Sequence, residues 1–202
     1  MGDFNVKILG LVGLAALAGP GAPVAAAQPP QGIVLDAQSA DGSFDNVVFR
    51  KVRITQGSMS ISADQGQGTR KSDRLDFNNS LWVFRGNVKI NVDEGQLLSD
   101  DAEITFDKQQ LSKAVANGNP AAFEERVQKS GKLAHGNADT IDYDAGKGIV
   151  RLLKNAYLTD GQIEVRGETL KYNILSQTIV AEAADQGTQR VHIVVPPPPS
   201  KP

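Results

Sequence analysis

Every second residue is apolar along one stretch after another of this chain, and that period leaves little choice of fold. A period of two sends side chains alternately to opposite faces of an extended strand, whereas a helix needs about 3.6. The clearest run puts Trp82, Phe84, Gly86, Val88, Ile90 and Val92 on one face and Val83, Arg85, Asn87, Lys89 and Asn91 on the other. It predicts a strand with one apolar side and one largely hydrated side. The alternation returns at Met59, Ile61, Ala63; at Ala102, Ile104, Phe106; at Ile141, Tyr143; at Leu170, Tyr172; and at Val191, Ile193, Val195. No segment carries a helical stripe of useful length. The best, Lys108 to Asn117, has Leu111, Ala114 and Val115 at helix-compatible spacing but is ended by Gly118-Asn119-Pro120.

The alternation is organised as a repeat. Lys51-Val52-Arg53-Ile54 leads to Gly57-Ser58-Met59-Ser60-Ile61, Asn87-Val88-Lys89-Ile90 leads to Gly95-Gln96-Leu97, and Asn155-Ala156-Tyr157-Leu158 leads to Gly161-Gln162-Ile163. Each copy is a strand, a glycine turn and a second strand, in a unit of about thirty to forty residues. A partial copy, Gly131-Lys132-Leu133 running to Ala138, Ile141 and Tyr143-Asp144, sits between the last two. Two or three strands cannot bury an apolar face alone, so the copies must stack or fold over one another around a common interior. The expected fold class is all-β, with a sheet that either rolls or forms a sandwich. Aromatic residues are only 5% of the chain, and the inward positions mix Gly, Ala, Val and Ile with a few large rings. That mixture fills a core loosely and suits a groove better than a tight sandwich.

At 202 residues the chain fits one domain. Its 21 basic and 23 acidic residues leave a net charge of -2, so no overall field draws it to nucleic acid or to an anionic membrane. With no cysteine it has no disulfide, no thiolate metal site, no cysteine nucleophile and no lipoprotein anchor. Lys7, the apolar run from Ile8 to Ala18, Gly19-Pro20-Gly21 and the small residues of Ala25-Ala26-Ala27-Gln28 mark residues 1–27 as a cleaved export signal peptide. The apolar run is too short for about 30 Å of hydrocarbon; the alternative is an uncleaved anchor. Residues 28–32 form a polar lead-in, residues 33–195 the β domain, and residues 196–202, with Pro196 to Pro199, a disordered tail that cannot donate to a ladder.

Three segments carry a family resemblance: Phe84-Arg85-Gly86-Asn87-Val88-Lys89-Ile90, Gly118-Asn119-Pro120-Ala121-Ala122-Phe123, and Gly136-Asn137-Ala138-Asp139-Thr140-Ile141-Asp142-Tyr143 with its continuation Lys154-Asn155-Ala156-Tyr157-Leu158. In order and spacing they resemble the OstA-like family, over residues 75 to 195. The resemblance implies an elongated open β-jellyroll of stacked V-shaped antiparallel strands, open at both ends, with an apolar interior that holds the lipid A part of lipopolysaccharide. It also implies a non-enzymatic periplasmic carrier, free of cofactors, that joins an inner-membrane transport complex subunit to an outer-membrane β-barrel receptor by head-to-tail assembly of copies. Residues 33 to 74 depart from the family pattern. They read as an extra copy of the repeat ahead of the usual start, which leaves the N-terminal docking strand unassigned.

A carrier of this kind answers an energetic demand. Each methylene moved into water costs about 0.8 kcal/mol, so a lipid with several long chains costs on the order of tens of kcal/mol to expose. Alternating strands supply a continuous apolar trough with a soluble outside. Phe84, Val88, Ile90, Ile104, Phe106, Phe123, Ile141, Tyr143, Tyr157, Leu170 and Tyr172 are the residues expected along it, the alternative being that they are ordinary sheet core. For Phe123 and Tyr143 the resemblance adds weight, since the matching family positions are implicated in lipid contact. An open roll leaves terminal strands unpaired, and Val191, Ile193 and Val195 are expected on a docking edge unless that strand is capped within its own sheet.

Other chemistry finds little support. Asp100, Asp101 and Glu103 read as a solvated turn rather than a metal or acid-base site. His135 and His192 fall in different repeats without zinc-ligand spacing, and no Gly-x-Ser-x-Gly elbow exists. Arg85, Lys89, Arg151 and Lys154 serve solubility more simply than phosphate binding. Besides the carrier, two readings stay open: a structural β-repeat protein with a filled core, and a membrane-anchored coupling subunit of the same lipid pathway.

Overall fold

The computed structural model describes residues 32–42, 46–71, 74–126, 133–182 and 191–195. The expected signal peptide, the tail and most of the polar lead-in lie outside them. Within this region the chain forms thirteen antiparallel strands and no helix. In order they are β1 (Val34–Asp36), β2 (Ser39–Gly42), β3 (Asn46–Gln56), β4 (Met59–Lys71), β5 (Arg74–Leu75), β6 (Ser80–Val92), β7 (Gly95–Asp107), β8 (Gln110–Arg126), β9 (Leu133–Asp144), β10 (Ile149–Thr159), β11 (Glu164–Asn173), β12 (Thr178–Glu182) and β13 (His192–Val194). Strands β3, β4 and β6 to β11 pair in sequence as one meander; β1 and β2 share the free side of β3, β12 and β13 that of β11, and β5 pairs with the end of β4. The all-β class and the bent antiparallel strands are as expected.

What turns this meander into two facing layers is a bend in the middle of every long strand, visible in the phase of burial. In β4, Met59, Ile61 and Ala63 are buried, then Gly66 and Gly68; in β8, Ala114 and Ala116, then Ala121 and Phe123; in β9, Ala134, Gly136 and Ala138, then Ile141. Each sequence changes from odd to even positions, or the reverse, where the bend falls. A straight strand with such a slip would put half of its apolar set in water. Because the strand bends, both halves keep their apolar side inward. In β6 and β10 the phase is kept, and left-handed backbone makes the bend instead, with φ of 76° at Gly86 and 49° at Asn87, and of 63° at Lys154 and 51° at Asn155. Gly86 therefore does not belong to the inward row in which the alternation placed it. A Cβ there would come within 2.7 Å of the Asp64 carboxylate.

Polar side chains bind the bends to one another along the outer face. Lys51 Nζ lies 2.6 Å from Asp64 Oδ1, and Asn87 Nδ2 donates to Asp64 Oδ2 at 2.7 Å. Lys51 above all, with Asn87, holds the Asp64 carboxyl below its ordinary value. Asn117 Nδ2 donates to Asp101 Oδ1, Thr140 Oγ1 donates to Asn117 Oδ1, and Asn155 Nδ2 donates to both oxygens of Asp139. Asp100, Asp101 and Glu103 are thus not a turn but the interior of β7, where Asp101 takes part in this seam. A bend interrupts the ladder as a turn does and attracts the same residue types.

The halves on one side of the seam form a first arm, whose inner face carries Phe49, Trp82, Phe84, Ile104, Phe106, Ile141, Leu152, Leu170 and Tyr172. The second arm presents Ile54, Ile61, Val88, Ile90, Leu97, Phe123, Leu158 and Val165. The arms face each other: the Phe123 ring on the second is 6.2 Å from that of Tyr172 on the first. Among the described residues no ladder joins the arms along the side opposite the seam, which leaves a slot there.

Nearer the N-terminus the space between the arms is filled. Phe77, on the connection from β5 to β6, stacks on Trp82 at 4.6 Å and meets Phe106 edge-on at 5.1 Å, while Phe49 and Phe84 lie about 6 Å from Trp82 on other sides. Trp82 is fully buried, and its Nε1 donates to the Asp76 carbonyl at 3.0 Å. The indole rests on Gly68, where a Cβ would fall 2.4 Å from the ring. Gly68→Ala is accordingly expected to lower stability by about 1–3 kcal/mol, because the stacked indole has nowhere to retreat. Gly146→Ala, where the nearest atom would be 3.6 Å away, should stay within about 0.5 kcal/mol. Urea denaturation of the two variants checks the pair.

Candidate functional site

The interior is not filled throughout. Between the arms, toward the C-terminal strands, lies a cavity of about 340 Å³. From the second arm Ile90, Val92, Leu97, Phe123 and Glu125 reach it, with Asp93 and Glu94 of the turn between β6 and β7. From the first arm come Ala114 and Tyr143, with Ile174, Leu175 and Gln177 of the turn between β11 and β12. The volume sits at the low end of small-molecule sites, which run about 300–1,000 Å³. Most of its wall is hydrocarbon, and its rim is formed by the two turns that face each other across the slot.

Of the residues expected along the trough, Ile90, Phe123 and Tyr143 meet in this cavity. Phe84, Val88, Ile104, Phe106, Ile141, Leu170 and Tyr172 point inward but are buried by the protein's own side chains. Phe84 and Phe106 belong to the aromatic stack around Trp82. Tyr157, expected in the same row, lies elsewhere: Ala156 and Leu158 on either side of it face inward, and its own ring packs outside beneath the Arg166 guanidinium, 4.3 Å from the ring centre. The strand is as expected and the face is not: the inward phase of β10 runs through Val150, Leu152, Ala156 and Leu158, which leaves Tyr157 on the outer side. A second recess of about 390 Å³, between Ile33, Leu35 and the connection from Leu75 to Asn78, involves no expected site residue.

Several wall residues escape a reading of the sequence. Ile174 and Leu175 sit in a turn, where no alternation marks them, although a leucine left 75% exposed in a turn is unusual enough to draw notice. Glu125 lies in the charged run Glu124-Glu125-Arg126 and reads as solvated. In the structure its Oε2 is buried without a hydrogen-bond partner. Burial pushes the Glu125 carboxyl above its ordinary value. Burial first, then the charges of Asp93, Glu125 and Asp144, raises the Tyr143 hydroxyl, and burial with Glu125 and Asp160 pushes Tyr172 up to about 12. Among the described residues no lysine or arginine lines the cavity, so the walls suit uncharged hydrocarbon and repel anions.

The family described as "LptA/(LptD N-terminal domain) LPS transport protein" matches residues 69–178, more than half of the chain. The chain belongs to this family. The lipopolysaccharide export system protein LptA of Escherichia coli (strain K12) is 28% identical over 138 residues, which cover 67% of this chain and 70% of that one, and LptA of Shigella flexneri matches to the same extent. A crystal structure of LptH, the LptA homologous periplasmic component of the lipopolysaccharide transport device of Pseudomonas aeruginosa, aligns with a TM-score of 0.45 and 18% identity over 83% of this chain and 96% of that one. Membership of the LptA/LptD N-terminal family puts the chain in lipopolysaccharide transport, and its curated relatives are lipopolysaccharide export proteins, not enzymes. The family match begins within β4, so β1 to β3 and most of β4 extend the same sheet ahead of it.

Both ends of the meander keep one unpaired side among the described residues. At the C-terminal end β12 pairs with Thr169 to Asn173 of β11, and β13 with Glu164 to Arg166. Val191, Ile193 and Val195 are 38%, 59% and 71% exposed. Thus β13 is held by its own sheet on one side and free on the other.

The state of Glu125 gives the cavity a pH signature. Its folded-state value lies above the unfolded one, so the associated stability is complete below the ordinary value of 4.5 and is lost as pH rises through the folded-state value. Glu125→Gln should therefore melt close to the parent at about pH 4 and above it at about pH 7. Thermal unfolding across that range checks the widening gap.

Proposed function

We propose that this protein is a periplasmic carrier that shields the acyl chains of lipopolysaccharide between its two arms, the cavity at Ile90, Leu97, Phe123 and Tyr143 being the standing part of the trough. The observation that carries this reading is an apolar cavity, lined by no basic residue among the described ones, between layers whose described strands are joined along one side only. At about 0.8 kcal/mol per methylene, enclosing even one long chain offsets a cost that would otherwise prevent the lipid from leaving a membrane. The cavity has room for little more than one chain, so a lipid with several must part the arms at the slot. The missing ladder on that side leaves them free to part without breaking strand pairing.

The free sides of β1 and β2 at one end and of β12 and β13 at the other would take added strands. Head-to-tail copies, an inner-membrane transport complex subunit and an outer-membrane β-barrel receptor are the partners we propose for them, with Val191, Ile193 and Val195 on the docking edge. Strand addition would align successive troughs and carry lipid A across the periplasm without exposing it. The structural alternative, a protein with a filled core, fits the aromatic stack around Trp82 but not the cavity beside Tyr143. A membrane-anchored subunit of the pathway rests on residues 1–27, outside the described residues.

Because the chain has no cysteine, Leu175→Cys accepts a single solvatochromic label at the rim. Titration with lipid A is expected to shift its emission to the blue, while Trp82, buried in its stack, stays unchanged. Tyr143→Asp should keep the far-ultraviolet circular dichroism of the parent and bind lipid A at least about tenfold more weakly, since it puts a charge against hydrocarbon. An unshifted label at saturating lipid A would refute the carrier reading.

A further inference from the structure

The recess beside β1 lies on the same apolar row as the cavity. Cross-strand partners on the second arm follow one another from Leu35 through Ile54, Ile61, Ile90 and Leu97 to Phe123. Leu35 lines the recess, whereas Ile90, Leu97 and Phe123 line the cavity. Ile54 and Ile61 between them are fully buried, which sets Leu35 three strand spacings, about 14 Å, from Ile90. On the first arm Trp82, Ile104, Ala114 and Tyr143 are partners in one row, with Ala114 and Tyr143 on the cavity and Trp82 at the filled end. Trp82 does not reach the recess; Phe77 does, and it stacks on the indole at 4.6 Å.

Phe77 is the one ring of that stack carried by no strand. It sits on a strap, residues 76–79, between β5 and β6. Three hydrogen bonds outside the ladders seat the strap: Gln109 N donates to the Phe77 carbonyl at 2.9 Å, Lys108 N to Asn78 Oδ1 at 3.0 Å, and Trp82 Nε1 to the Asp76 carbonyl at 3.0 Å. Where the strap joins β6, Asn79 is left-handed with φ of 52°, and the Ser80 hydroxyl is buried without a hydrogen-bond partner. Such a hydroxyl costs free energy while the strap is down, a cost that is relieved once water can reach it. Lifting the strap about its root breaks no strand pairing.

We infer that the recess is a second compartment for an aliphatic chain, and that the strap is a gate, with Phe77 as its stop, between this compartment and the cavity. The inference rests on the proposed occupancy of the cavity by acyl chains and adds where the trough continues and what interrupts it. With the strap down, a chain beside Tyr143 and Ile90 ends against Ile104 and Ile61. With the strap lifted, the recess opens onto the row at Trp82. Ile33, Leu35, Leu75 and Phe77 give the recess its apolar wall, and Asp76 repels anions, so its occupant is uncharged hydrocarbon. Ile33 and Leu35 precede the residues matched by the family, which places the compartment in the N-terminal extension of the sheet.

A chain tagged at its tail reads the gate. The bromine of ω-bromododecanol, a neutral amphiphile, quenches an indole on contact, and Trp82 is the only tryptophan. Saturation of the full chain should leave Trp82 emission unchanged in the wild type and quench it in Phe77→Ala. Phe77→Leu, with an apolar side chain of less reach, should be quenched to a smaller extent and guards against a fold defect in the alanine variant. In all three backgrounds a solvatochromic label at Leu175→Cys should shift to the blue as the cavity fills. Movement of the strap is read in the wild type from the indole N–H, whose hydrogen exchange should be at least about tenfold faster than that of the backbone amides pairing β6 with β7. Asn78→Ala, which removes the acceptor of Lys108 N, should speed the indole about fivefold and leave those amides unchanged. Equal quenching in the wild type and Phe77→Ala would overturn the stop. No quenching in either Phe77 variant, with the Leu175 label shifted, would overturn the second compartment, and indole exchange as slow as that of the ladder would overturn the gate. An unshifted Leu175 label would overturn the occupancy of the cavity, on which all three rest.

Discussion

The mid-strand bend is the constraint on which the rest of this structure depends. A flat antiparallel meander with one apolar face would expose that face to water, and a single sheet offers no second layer to cover it. By bending each long strand once, the chain makes one sheet supply both layers. A change of burial phase at the bend, or left-handed backbone in β6 and β10, keeps the apolar side of each long strand inward on both arms. The bends are held in line by a seam of side chains, Lys51, Asp64 and Asn87 at one end and Asp101, Asn117 and Thr140 further along, with Asp139 and Asn155 beside them. Asp64 meets the Lys51 ammonium, and Asp101 and Asp139 accept from the amides of Asn117 and Asn155, charge-assisted hydrogen bonds that are stronger than neutral ones.

A construction with one closed side and one unladdered side has mechanical consequences. The seam is covalent and hydrogen-bonded, whereas the slot is closed only by side chains, so any widening must occur there. Toward the N-terminus the gap is occupied by Phe49, Phe77, Trp82, Phe84 and Phe106, a stack in which ring contacts add about 0.5–1.5 kcal/mol a pair beyond the area they bury. Toward the C-terminus no such stack fills the gap, which stays partly vacant between Ile90, Leu97, Ala114, Phe123 and Tyr143. One end of the interior is thereby stiffened and the other left adaptable, a division suited to a protein that must keep its fold while its contents change.

Much of this is legible in the sequence, and the misses have separate causes. Alternation along Trp82 to Val92 marks the strand and its inner face, and it places Phe123, Tyr143 and Ile90 inward, where the structure has them. The family resemblance implies bent strands, but the positions of the bends are not legible, because a bend uses the residues of a turn: Gly118-Asn119-Pro120 reads as a break yet lies within β8, and Asp100-Asp101 reads as a solvated turn yet lies within β7. Gly86 sits at such a bend, which takes it out of the inward row, whereas Tyr157 is set outside by the unbroken phase of Val150, Leu152, Ala156 and Leu158. Ile174, Leu175 and Glu125 are hidden for a different reason. Which turn faces which across the slot depends on how far the whole sheet has curled by the time β11 is reached, a long-range property that no local pattern records. The filling of the N-terminal half depends likewise on Phe77, a residue in a connection, folding back onto Trp82.

On the proposed function, hydrocarbon is held by the inner faces of the arms and not by the outer ones. Photo-crosslinking in living cells with a photoreactive phenylalanine analogue separates the two faces, with the analogue placed at Phe123 or Tyr143 on the inside and at Tyr157 or Lys89 on the outside. Adducts with lipopolysaccharide are expected from the two inner positions and none from the outer pair. Equal yields from both faces, or adducts from Tyr157 alone, would contradict it.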